Sequence, residues 1–307
     1  MVNDLIIIGS SAAGMSAALY VARAGINFLI FGQPETGNTA KAGVIENYLG
    51  FLSLPGSELS KKFQEHLGKY NPKTVKEKVV SLQKRENNFL VKTEKEEYLA
   101  KSVILSTGAN PRKLNIPGEE EFLNKGISYC EACDGPLFKD KRVAILGGGN
   151  SATKAAFSLS KIAKEVFVLN INDSMRAEKV YLDKLSQLSN VKFFYKVKTF
   201  EFFGDSLLEG LRYEQIDSGE KKELSIDGAF IYVGLKPNTG FISQELDIMN
   251  EDKEIITDKE GKTKIPGIFA AGDVVDKSFR QISVAVGQGA SAAQSAIEFL
   301  TKVKEQL

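Results

Sequence analysis

The residues with the clearest chemical potential lie in the segment SYCEACDGPL, Ser128–Leu137, which holds both cysteines of the chain. Because only two residues separate Cys130 from Cys133, their sulfur atoms can bond within one turn or ligate a metal together. A structural zinc site needs about four ligands, and the only histidine, His66, stands far away in the sequence. The spacing therefore favours a redox-active thiol pair over a metal shared between chains or an idle pair.

Asp134 follows the second cysteine directly. A carboxyl group there can give a proton to a leaving thiolate, provided that part of it stays protonated at the working pH. We therefore expect burial to raise the pKa of Asp134. The alternative role, capping a following helix, is compatible with the first.

Composition narrows the classes of protein to consider. The 307 residues are 43% hydrophobic and 26% charged, with a net charge of +1, which gives no basis for binding nucleic acid or an anionic membrane. The apolar runs are broken by Gly and Ser, so none reads as a membrane span. The start, MVND, lacks the basic region of a signal peptide. We expect a cytoplasmic protein of one large or two ordinary domains, in which a structural disulfide would not persist.

The N-terminus predicts a βαβ unit that binds a dinucleotide. A buried strand at Asp4–Ile8 leads into the turn Gly9–Gly14, the helix Met15–Gly25 and a second strand, Asn27–Gly32. The middle glycine of the GxGxxG pattern is replaced by Ser11, which is still small enough for a phosphate to approach. A tight turn without a ligand is the alternative.

The same unit recurs in mid-chain. The strand Arg142–Leu146, the turn Gly147–Ala152, the helix Thr153–Ala163 and the strand Glu165–Leu169 repeat the order of elements. Two such units in one chain predict an α/β protein with two Rossmann-like domains.

These segments, in this order, resemble the low-molecular-weight thioredoxin reductases over essentially the whole chain. The segments that carry the resemblance are CEACDG (Cys130–Gly135), STGANP (Ser106–Pro111), ENYLGF (Glu46–Phe51), DGAFIYVGLKPNT (Asp227–Thr239), GIFAAGDV (Gly267–Val274) and FRQISVAVGQG (Phe279–Gly289). The resemblance implies two Rossmann-like, three-layer ββα domains, the second inserted into the first. The FAD-binding domain would comprise residues 1–114 and 240–307, and a pyridine-nucleotide-type domain, 115–239, would carry the CxxC. The linkers near Asn115 and Thr239 would act as a hinge.

The resemblance also implies site residues. Cys133 would lie nearest the flavin, Cys130 would attack the disulfide of a thioredoxin or thioredoxin-like protein, and Asp134 would be the proton donor. The protein would be a homodimer. The FAD contacts implied are Gly9, Ser10, Ser11, Ala12, Ala13, Gly14, Gly37, Asn38, Thr39, Asn47, Thr107, Gly108, Gly272, Asp273, Arg280, Gln281 and Ile282. Two alternatives stay open: Asn47 could cap a turn, and Asp273 could hydrogen-bond its own loop.

The second glycine turn departs from the family. Asn170-Ile171-Asn172 stands where NADPH-dependent members have a basic triplet, Lys154-Ala155 replaces an acidic pair, and only Arg176 remains of the basic set. Each lost charge-assisted hydrogen bond to a phosphate is worth roughly 1.5–3 kcal/mol, so NADPH binding should weaken on the order of a hundredfold. An acid suited to the ribose of NADH is also missing. FAD is thus expected and NADPH is disfavoured.

The donor favoured instead is reduced ferredoxin, because one branch of the family keeps the CxxC and FAD but lacks the nucleotide signature. A ferredoxin is acidic and needs a basic docking face; Lys61, Lys62, Lys69, Lys73, Lys76 and Lys78 form a basic stretch, although a solvated surface is the simpler interpretation. Three other functions remain: an ordinary NADPH-dependent thioredoxin reductase, an FAD-dependent dithiol oxidase, and a flavin-binding redox sensor without turnover. Asp134 argues against the last two, since oxidase relatives have His there and a sensor needs no proton donor.

Overall fold

A computed structural model describes residues 2–275 and 279–305. The chain divides into two compact units: unit 1 runs up to Asn110 and resumes at Lys236, and unit 2 is Pro111–Leu235. The boundaries expected from the sequence, 114 and 239, each stand four residues later than the observed 110 and 235. Two short strands, at Ala109–Pro111 and Leu235–Pro237, lie at these crossings and pair with each other.

The described strands, numbered in chain order, are β1 Val2–Ile8, β2 Phe28–Phe31, β3 Val44–Ile45, β4 Leu54–Pro55, β5 Lys73–Val75, β6 Val79–Arg85, β7 Asn88–Thr93, β8 Glu97–Leu105, β9 Ala109–Pro111, β10 Ile127–Ser128, β11 Arg142–Leu146, β12 Glu165–Asn170, β13 Val191–Tyr195, β14 Val197–Gly204, β15 Leu208–Gln215, β16 Lys221–Ser225, β17 Gly228–Ile231, β18 Leu235–Pro237 and β19 Ile268–Ala270. The helices are α1 Ala12–Arg23, α2 Asn38–Lys41, α3 Gly56–Gly68, α4 Glu131–Asp134, α5 Asn150–Leu159, α6 Lys179–Ser186 and α7 Ile282–Glu305. Short 3-10 turns cover Pro34–Thr36, Gly135–Phe138 and Gln244–Leu246.

Unit 1 is built on a sheet of order β5-β2-β1-β8-β7-β6, with β19 also paired to β8. The strands β1, β2, β5, β8 and β19 run parallel, so the turns that follow β1, β8 and β19 emerge at one edge of the sheet. The apolar run of β1 is buried on both faces, as a central parallel strand requires. Helices α1 and α7 pack their alanines on one face of this sheet. The edge after these strands is the place where ligands bind in such folds.

Unit 2 repeats the arrangement with a parallel sheet of order β10-β17-β11-β12-β13 and an antiparallel sheet β14-β15-β16. Each large core cluster consists of residues from one unit only. The predicted α/β fold with two Rossmann-like units, the second inserted into the first, is confirmed.

Several predicted element bounds were wrong. Helix α1 begins at Ala12 and α5 at Asn150, inside the turns predicted as Gly9–Gly14 and Gly147–Ala152. Small residues allow this early start, since a Cβ added at Gly14 would lie 1.8 Å from the Gly9 carbonyl oxygen. In the STGANP segment, β8 ends at Leu105 and β9 begins at Ala109, and Gly108 between them has φ +69°.

Within the ranges 2–275 and 279–305, no helix has the length and apolar character needed to cross a bilayer.

Candidate functional site

The two cysteines form a disulfide within a single turn of unit 2. Cys130 is the N-cap of α4, and the Asp134 N–H donates to the Cys130 carbonyl oxygen at 3.1 Å. The turn brings the Cα atoms of Cys130 and Cys133 to 5.3 Å, a separation that a disulfide spans without distorting the backbone. The observed pair therefore has the geometry of a dithiol that can open and close in place.

Asp134 is held by a side chain that the sequence analysis did not single out. The Ser128 hydroxyl donates to Asp134 Oδ2 at 2.5 Å, and the Cys130 N–H donates to the Ser128 hydroxyl at 3.0 Å. Burial raises the pKa of Asp134, and the hydrogen bond from Ser128 offsets part of that rise. The direction agrees with the expectation for a proton donor. The capping alternative is wrong, because the Asp134 side chain makes no capping bond to the turn that follows.

A second missed pair fixes the other side of the redox turn. The Glu131 N–H donates to the Tyr232 hydroxyl oxygen at 2.9 Å, and that hydroxyl donates to the Glu131 carboxylate. Burial and the neighbouring Glu131 raise the pKa of Tyr232, so the phenol stays a donor. Tyr232 directly follows β17, which anchors the turn to the sheet of unit 2.

Glu119 connects the start of unit 2 to the residue before Cys130. Its carboxylate is buried and accepts hydrogen bonds from the Leu114 N–H at 3.0 Å, the Asn115 N–H at 2.6 Å and the Tyr129 hydroxyl at 2.7 Å. Burial, followed by Glu119, raises the pKa of Tyr129. In the sequence, Glu119 is marked only by its position directly after Pro117-Gly118. Its hydrogen-bond partners could not be predicted from spacing.

In unit 1, the turn after β1 has the geometry of a phosphate site. Gly9 has φ +110°, and a Cβ there would lie 2.2 Å from the Ser106 carbonyl oxygen, so only glycine fits. Helix α1 has no side-chain cap at Ser11. Among the described residues, the N–H groups of Ala12, Ala13 and Gly14 have no acceptor; the first to bond is Met15, to Ser11 O at 2.8 Å. Free N–H groups at the start of a helix are the usual partners of a phosphate.

The loop at residues 37–39 lies against this turn. The Thr39 hydroxyl is 3.1 Å from the Ser11 hydroxyl, and a Cβ at Gly37 would lie 2.7 Å from Ser11 Oγ. Asn38 donates from Nδ2 to the Ala109 carbonyl oxygen at 2.8 Å. Ser10 is buried beside Gly32. The structure thus brings together the predicted FAD contacts of the Gly9–Gly14 turn and those of residues 37–39.

Asp273 follows β19 at the same edge of the sheet. Gly272 has φ +80° and lies against Ala13, with its N–H donating to Gln288 Oε1 at 2.9 Å. Burial raises the pKa of Asp273, and the positive charge of Arg280 offsets part of that rise. No residue in 2–275 or 279–305 donates a hydrogen bond to its carboxylate, so the alternative in which Asp273 bonds its own loop has no support among these residues.

The remaining predicted contacts fall into three places in unit 1. Asn47 Nδ2 donates to Gln281 Oε1 at 3.0 Å, which joins the ENYLGF segment to the start of α7, where Ile282 packs on a small apolar cluster. Arg280 is ion-paired with Glu254. The Thr107 hydroxyl donates to the Asn238 carbonyl oxygen at 2.8 Å, and Gly108 accepts from the Asn238 N–H at 3.0 Å. Thr107 and Gly108 thus hold the returning chain.

In unit 2, the end of β12 beside the second glycine turn is hydrogen-bonded to its own loop. Asn170 is 1% exposed, and its Oδ1 accepts from the Asn172 N–H at 3.1 Å and from Asn172 Nδ2 at 3.3 Å. Its Nδ2 donates to the Ser174 carbonyl oxygen at 2.8 Å. The Arg176 N–H donates to the Gly148 carbonyl oxygen at 2.7 Å. The polar atoms at the end of β12 are therefore already paired with protein.

The donor set of unit 1 fits FAD. The uncapped start of α1 suits a pyrophosphate, and the half-buried carboxylate of Asp273, at the same edge of the sheet, suits sugar hydroxyl groups. Two Rossmann-type units, one with such a turn and one with a disulfide beside a protonatable carboxyl group, define a flavin-dependent disulfide oxidoreductase.

The comparisons agree with that class. The chain belongs to the pyridine nucleotide-disulphide oxidoreductase family, whose model matches residues 3–289. It is similar to a thioredoxin reductase of Ureaplasma parvum, at 41% identity over 98% of each chain. The crystal structure of thioredoxin reductase from Streptococcus pyogenes is similar as well, with a TM-score of 0.92 and 38% identity over 98% of this chain and 99% of that one. FAD is the cofactor expected for such enzymes.

Two further relatives bear on partner and donor. An alkyl hydroperoxide reductase component from Staphylococcus epidermidis is 38% identical over 97% of this chain, which spans 59% of that protein. A ferredoxin-flavin thioredoxin reductase from Clostridium acetobutylicum is 30% identical over 99% of each chain, with a TM-score of 0.55.

Proposed function

We propose that this protein is an FAD-dependent reductase that passes electrons through the Cys130–Cys133 disulfide to a thioredoxin or thioredoxin-like protein. The observation that carries the proposal is the redox turn with Asp134, whose pKa is raised by burial and whose carboxylate is held by Ser128. The similar proteins named thioredoxin reductase support the same function.

The chemistry at the redox turn needs only residues of unit 2. Bound FAD supplies the two electrons that open the Cys130–Cys133 disulfide. The Cys130 thiolate attacks one sulfur of the partner disulfide, whose S–S bond breaks, and Asp134 gives its proton to the leaving thiolate. Cys133 then attacks Cys130 in the mixed disulfide, whose S–S bond breaks, and the proton of the Cys133 thiol passes to the second leaving thiolate, so that the partner is released as a dithiol. The partner gains two electrons and two protons, and the enzyme returns to its disulfide.

A protein substrate suits the surroundings of the turn. Leu137, three residues after Asp134, is 68% exposed. A protein substrate that reaches Cys130 would cover this apolar side chain.

FAD would be held in unit 1 by the predicted contacts from Gly9 to Gly14 together with Asp273. Burial of Asp273 beside Gly272 supports this role, because a buried carboxylate is stable when it accepts hydrogen bonds. We assign Asn47, Gln281 and Ile282 to the ring end of FAD on the strength of the family resemblance and their common location.

The electron donor that we favour is a reduced ferredoxin. The side chain of Asn170 is committed to its own loop, Ile171 is 57% exposed and uncharged, and neither offers a cation or an acid to a nucleotide ribose. The similarity to a ferredoxin-flavin thioredoxin reductase supports this donor. The proteins named simply thioredoxin reductase keep NADPH as the second candidate.

The reductase proposal is tested with an artificial electron donor, so the result does not depend on which electron donor is the physiological one. Dithionite-reduced methyl viologen would supply electrons under argon to the FAD-loaded protein, and thiols formed on oxidised thioredoxin would be counted. Several turnovers are expected; a bleached flavin without any thioredoxin thiols would refute the reductase. Oxygen uptake with dithiothreitol and no thioredoxin should be negligible, and rapid uptake would favour the dithiol oxidase.

The donor is tested by anaerobic stopped flow on the same protein. Reduced ferredoxin should bleach the flavin within a catalytic time, whereas millimolar NADPH or NADH should leave it oxidised. Rapid bleaching by micromolar NADPH would return the protein to the NADPH-dependent class.

A further inference from the structure

The outer surface of α5 and α6 in unit 2 carries three lysines stacked on two aromatic rings. We call this surface the α5–α6 face; it comprises Lys154, Phe157, Lys161, Tyr181 and Lys184. The Lys154 Nζ lies 5.6 Å from the centre of the Tyr181 ring, and the Nζ atoms of Lys161 and Lys184 lie 4.6 and 5.9 Å from the centre of Phe157. The two rings meet edge to face at 6.5 Å. All three lysines are exposed.

These lysines have no acidic partner within 4.0 Å among the described residues. Most of the other cations that lie over aromatic rings in the described residues are paired with an acid. Arg142 and Lys192, both over Phe167, are paired with Glu165 at 3.1 and 2.7 Å. Lys221 over Phe200 is an exception. The three lysines of the α5–α6 face are therefore exposed cations that form no ion pair with the described residues.

The lysine stretch of unit 1, which the sequence suggested as a basic docking face, behaves differently. Lys61 lies 3.9 Å from Glu65, Lys62 lies 3.5 Å from Glu58, and Lys76 lies 3.9 Å from Glu35. Half of that stretch is thus paired with acids along α3 and its surroundings, as expected of a solvated helix surface. The α5–α6 face is the stronger candidate for binding an acidic molecule.

The face and the redox turn share α5. Helix α4, which carries Cys133, contacts α5, and a Cβ at Gly135 would lie 3.3 Å from Leu159 Cδ2. The 3-10 turn that presents Leu137 continues directly from α4. Helix α5 is about 15 Å long at 1.5 Å per residue. A small protein in contact with the redox turn is therefore wide enough to reach the lysines.

The chemistry of the face selects its partner. Cation–π contacts favour conformations in which the ammonium groups lie over the rings, so these groups lose less freedom when an anion binds. Two packed helices present an outward surface rather than the concave pocket that a small ligand requires. A carboxylate-rich surface of another protein fits these features.

We propose that the α5–α6 face docks an acidic surface of the protein disulfide substrate and steers that substrate to Cys130. This inference rests on the proposed function. The contacts lie at the rim of the docking surface, so they accelerate association and set its salt dependence rather than the chemical step.

The test uses the full FAD-loaded protein, reduced methyl viologen as electron source, and an oxidised thioredoxin with acidic surface residues as probe. One variant combines Lys154→Gln, Lys161→Gln and Lys184→Gln; its matched control combines Lys61→Gln, Lys62→Gln and Lys76→Gln. The face variant should lose about tenfold in kcat/KM for thioredoxin at low salt with kcat unchanged, since electrostatic steering raises association rates by about 10-fold or more. The control should change less than about twofold. Reduction of uncharged dithiodipyridine should be equal in all three proteins.

Equal kcat/KM in the face variant and the control would overturn the inference and leave the reductase intact. A loss confined to reduction by ferredoxin, with thioredoxin unaffected, would also overturn it and assign the face to the donor. If no protein reduces thioredoxin while viologen still bleaches the flavin, the proposed function fails and the inference fails with it. A thioredoxin whose surface carboxylates are replaced by amides should abolish the difference between the variants.

Discussion

The redox turn works through a small set of side chains whose roles can be separated. Cys130→Ser and Cys133→Ser should each abolish reduction of thioredoxin, because either change removes one sulfur from the dithiol, while FAD stays bound in unit 1. The measurement is the number of thiols formed on thioredoxin with reduced methyl viologen as electron donor, together with the flavin spectrum of the purified variants. Full turnover in Cys133→Ser would contradict the exchange sequence.

The pH dependence of thiol exchange should depend on Ser128. A proton donor fails as pH rises through its pKa, and the raised pKa of Asp134 places that fall above the range of an ordinary aspartate. The hydrogen bond from Ser128 lowers the pKa of Asp134, so Ser128→Ala should move the alkaline fall to higher pH. Asp134→Asn should slow exchange and remove the fall.

The measurement is the rate of exchange between the prereduced enzyme and thioredoxin as a function of pH, with flavin reduction by viologen as a reference step. Ser128→Thr keeps the hydroxyl group and serves as the control. A fall that moves to lower pH in Ser128→Ala, or one that persists in Asp134→Asn, would reduce Asp134 to a structural residue.

At the scale of single residues, the sequence predicted the reacting groups and missed the side chains that hold them in place. Cys130, Cys133 and Asp134 are neighbours, so spacing alone could propose their cooperation. Ser128 reaches Asp134 only because the chain turns at Cys130, and Tyr232 meets Glu131 only through the sheet of unit 2. Such pairs depend on tertiary structure, which a single sequence does not contain.

Secondary-structure elements were predicted best where burial is complete. Strand β11 has the predicted bounds, Arg142–Leu146, because all but its first residue are buried and Gly147 follows it. The starts of α1 and α5 were placed three residues late, since the small and polar residues Ala12–Gly14 and Asn150–Ala152 were taken as loop, although they are already helical.

Asp273, in the turn after β19, should strengthen FAD binding and at the same time lower the stability of the apoprotein. A buried carboxyl group with a raised pKa destabilises the fold above that pKa, because the ionised form is poorly solvated. Asp273→Asn should therefore leave the melting temperature of the apoprotein unchanged or higher, yet weaken FAD by about 10- to 100-fold through the loss of charged hydrogen bonds.

Melting of the apoprotein and titration with FAD measure the two effects separately. Asp252→Asn, on the exposed surface of the same unit, is the control and should change neither. Unchanged FAD affinity in Asp273→Asn would remove Asp273 from the cofactor site.

The loop after β12 should accept a nucleotide phosphate if its cations are restored. Ile171→Arg with Asn172→Arg would add two charge-assisted contacts of roughly 1.5–3 kcal/mol each, so NADPH binding should tighten on the order of a hundredfold. The Asn172 side-chain bond to Asn170 would be lost, but the backbone bond remains. Calorimetric titration with NADPH and NADH measures the gain. The uncharged pair Ile171→Gln with Asn172→Gln is the control, and equal binding by both variants would show that this loop no longer forms a nucleotide site.

At the scale of the whole molecule, two units with separate cores carry the two halves of the proposed reaction. The sequence located both units through their repeated βαβ pattern, while the crossings between them were placed four residues late, at 114 against 110 and 239 against 235. The short strands β9 and β18 lie at these crossings and pair with each other. Pairing of two distant segments is invisible to local composition.

Because each large core cluster lies within one unit, ligands should stabilise the units separately. Scanning calorimetry of the apoprotein should resolve two transitions. FAD at 100 times its Kd contributes about 2.7 kcal/mol and should raise only one of them, by roughly 5 to 10 °C. Millimolar NADPH should raise neither, because the Asn170 side chain is hydrogen-bonded to its own loop and Arg176 is the one cation that remains of the basic set. The variant with Ile171→Arg and Asn172→Arg is the positive control, in which NADPH should raise the transition that FAD leaves unchanged. An upward shift of that transition by NADPH in the unmodified protein would mean that unit 2 binds the nucleotide, and the donor would then be NADPH rather than ferredoxin.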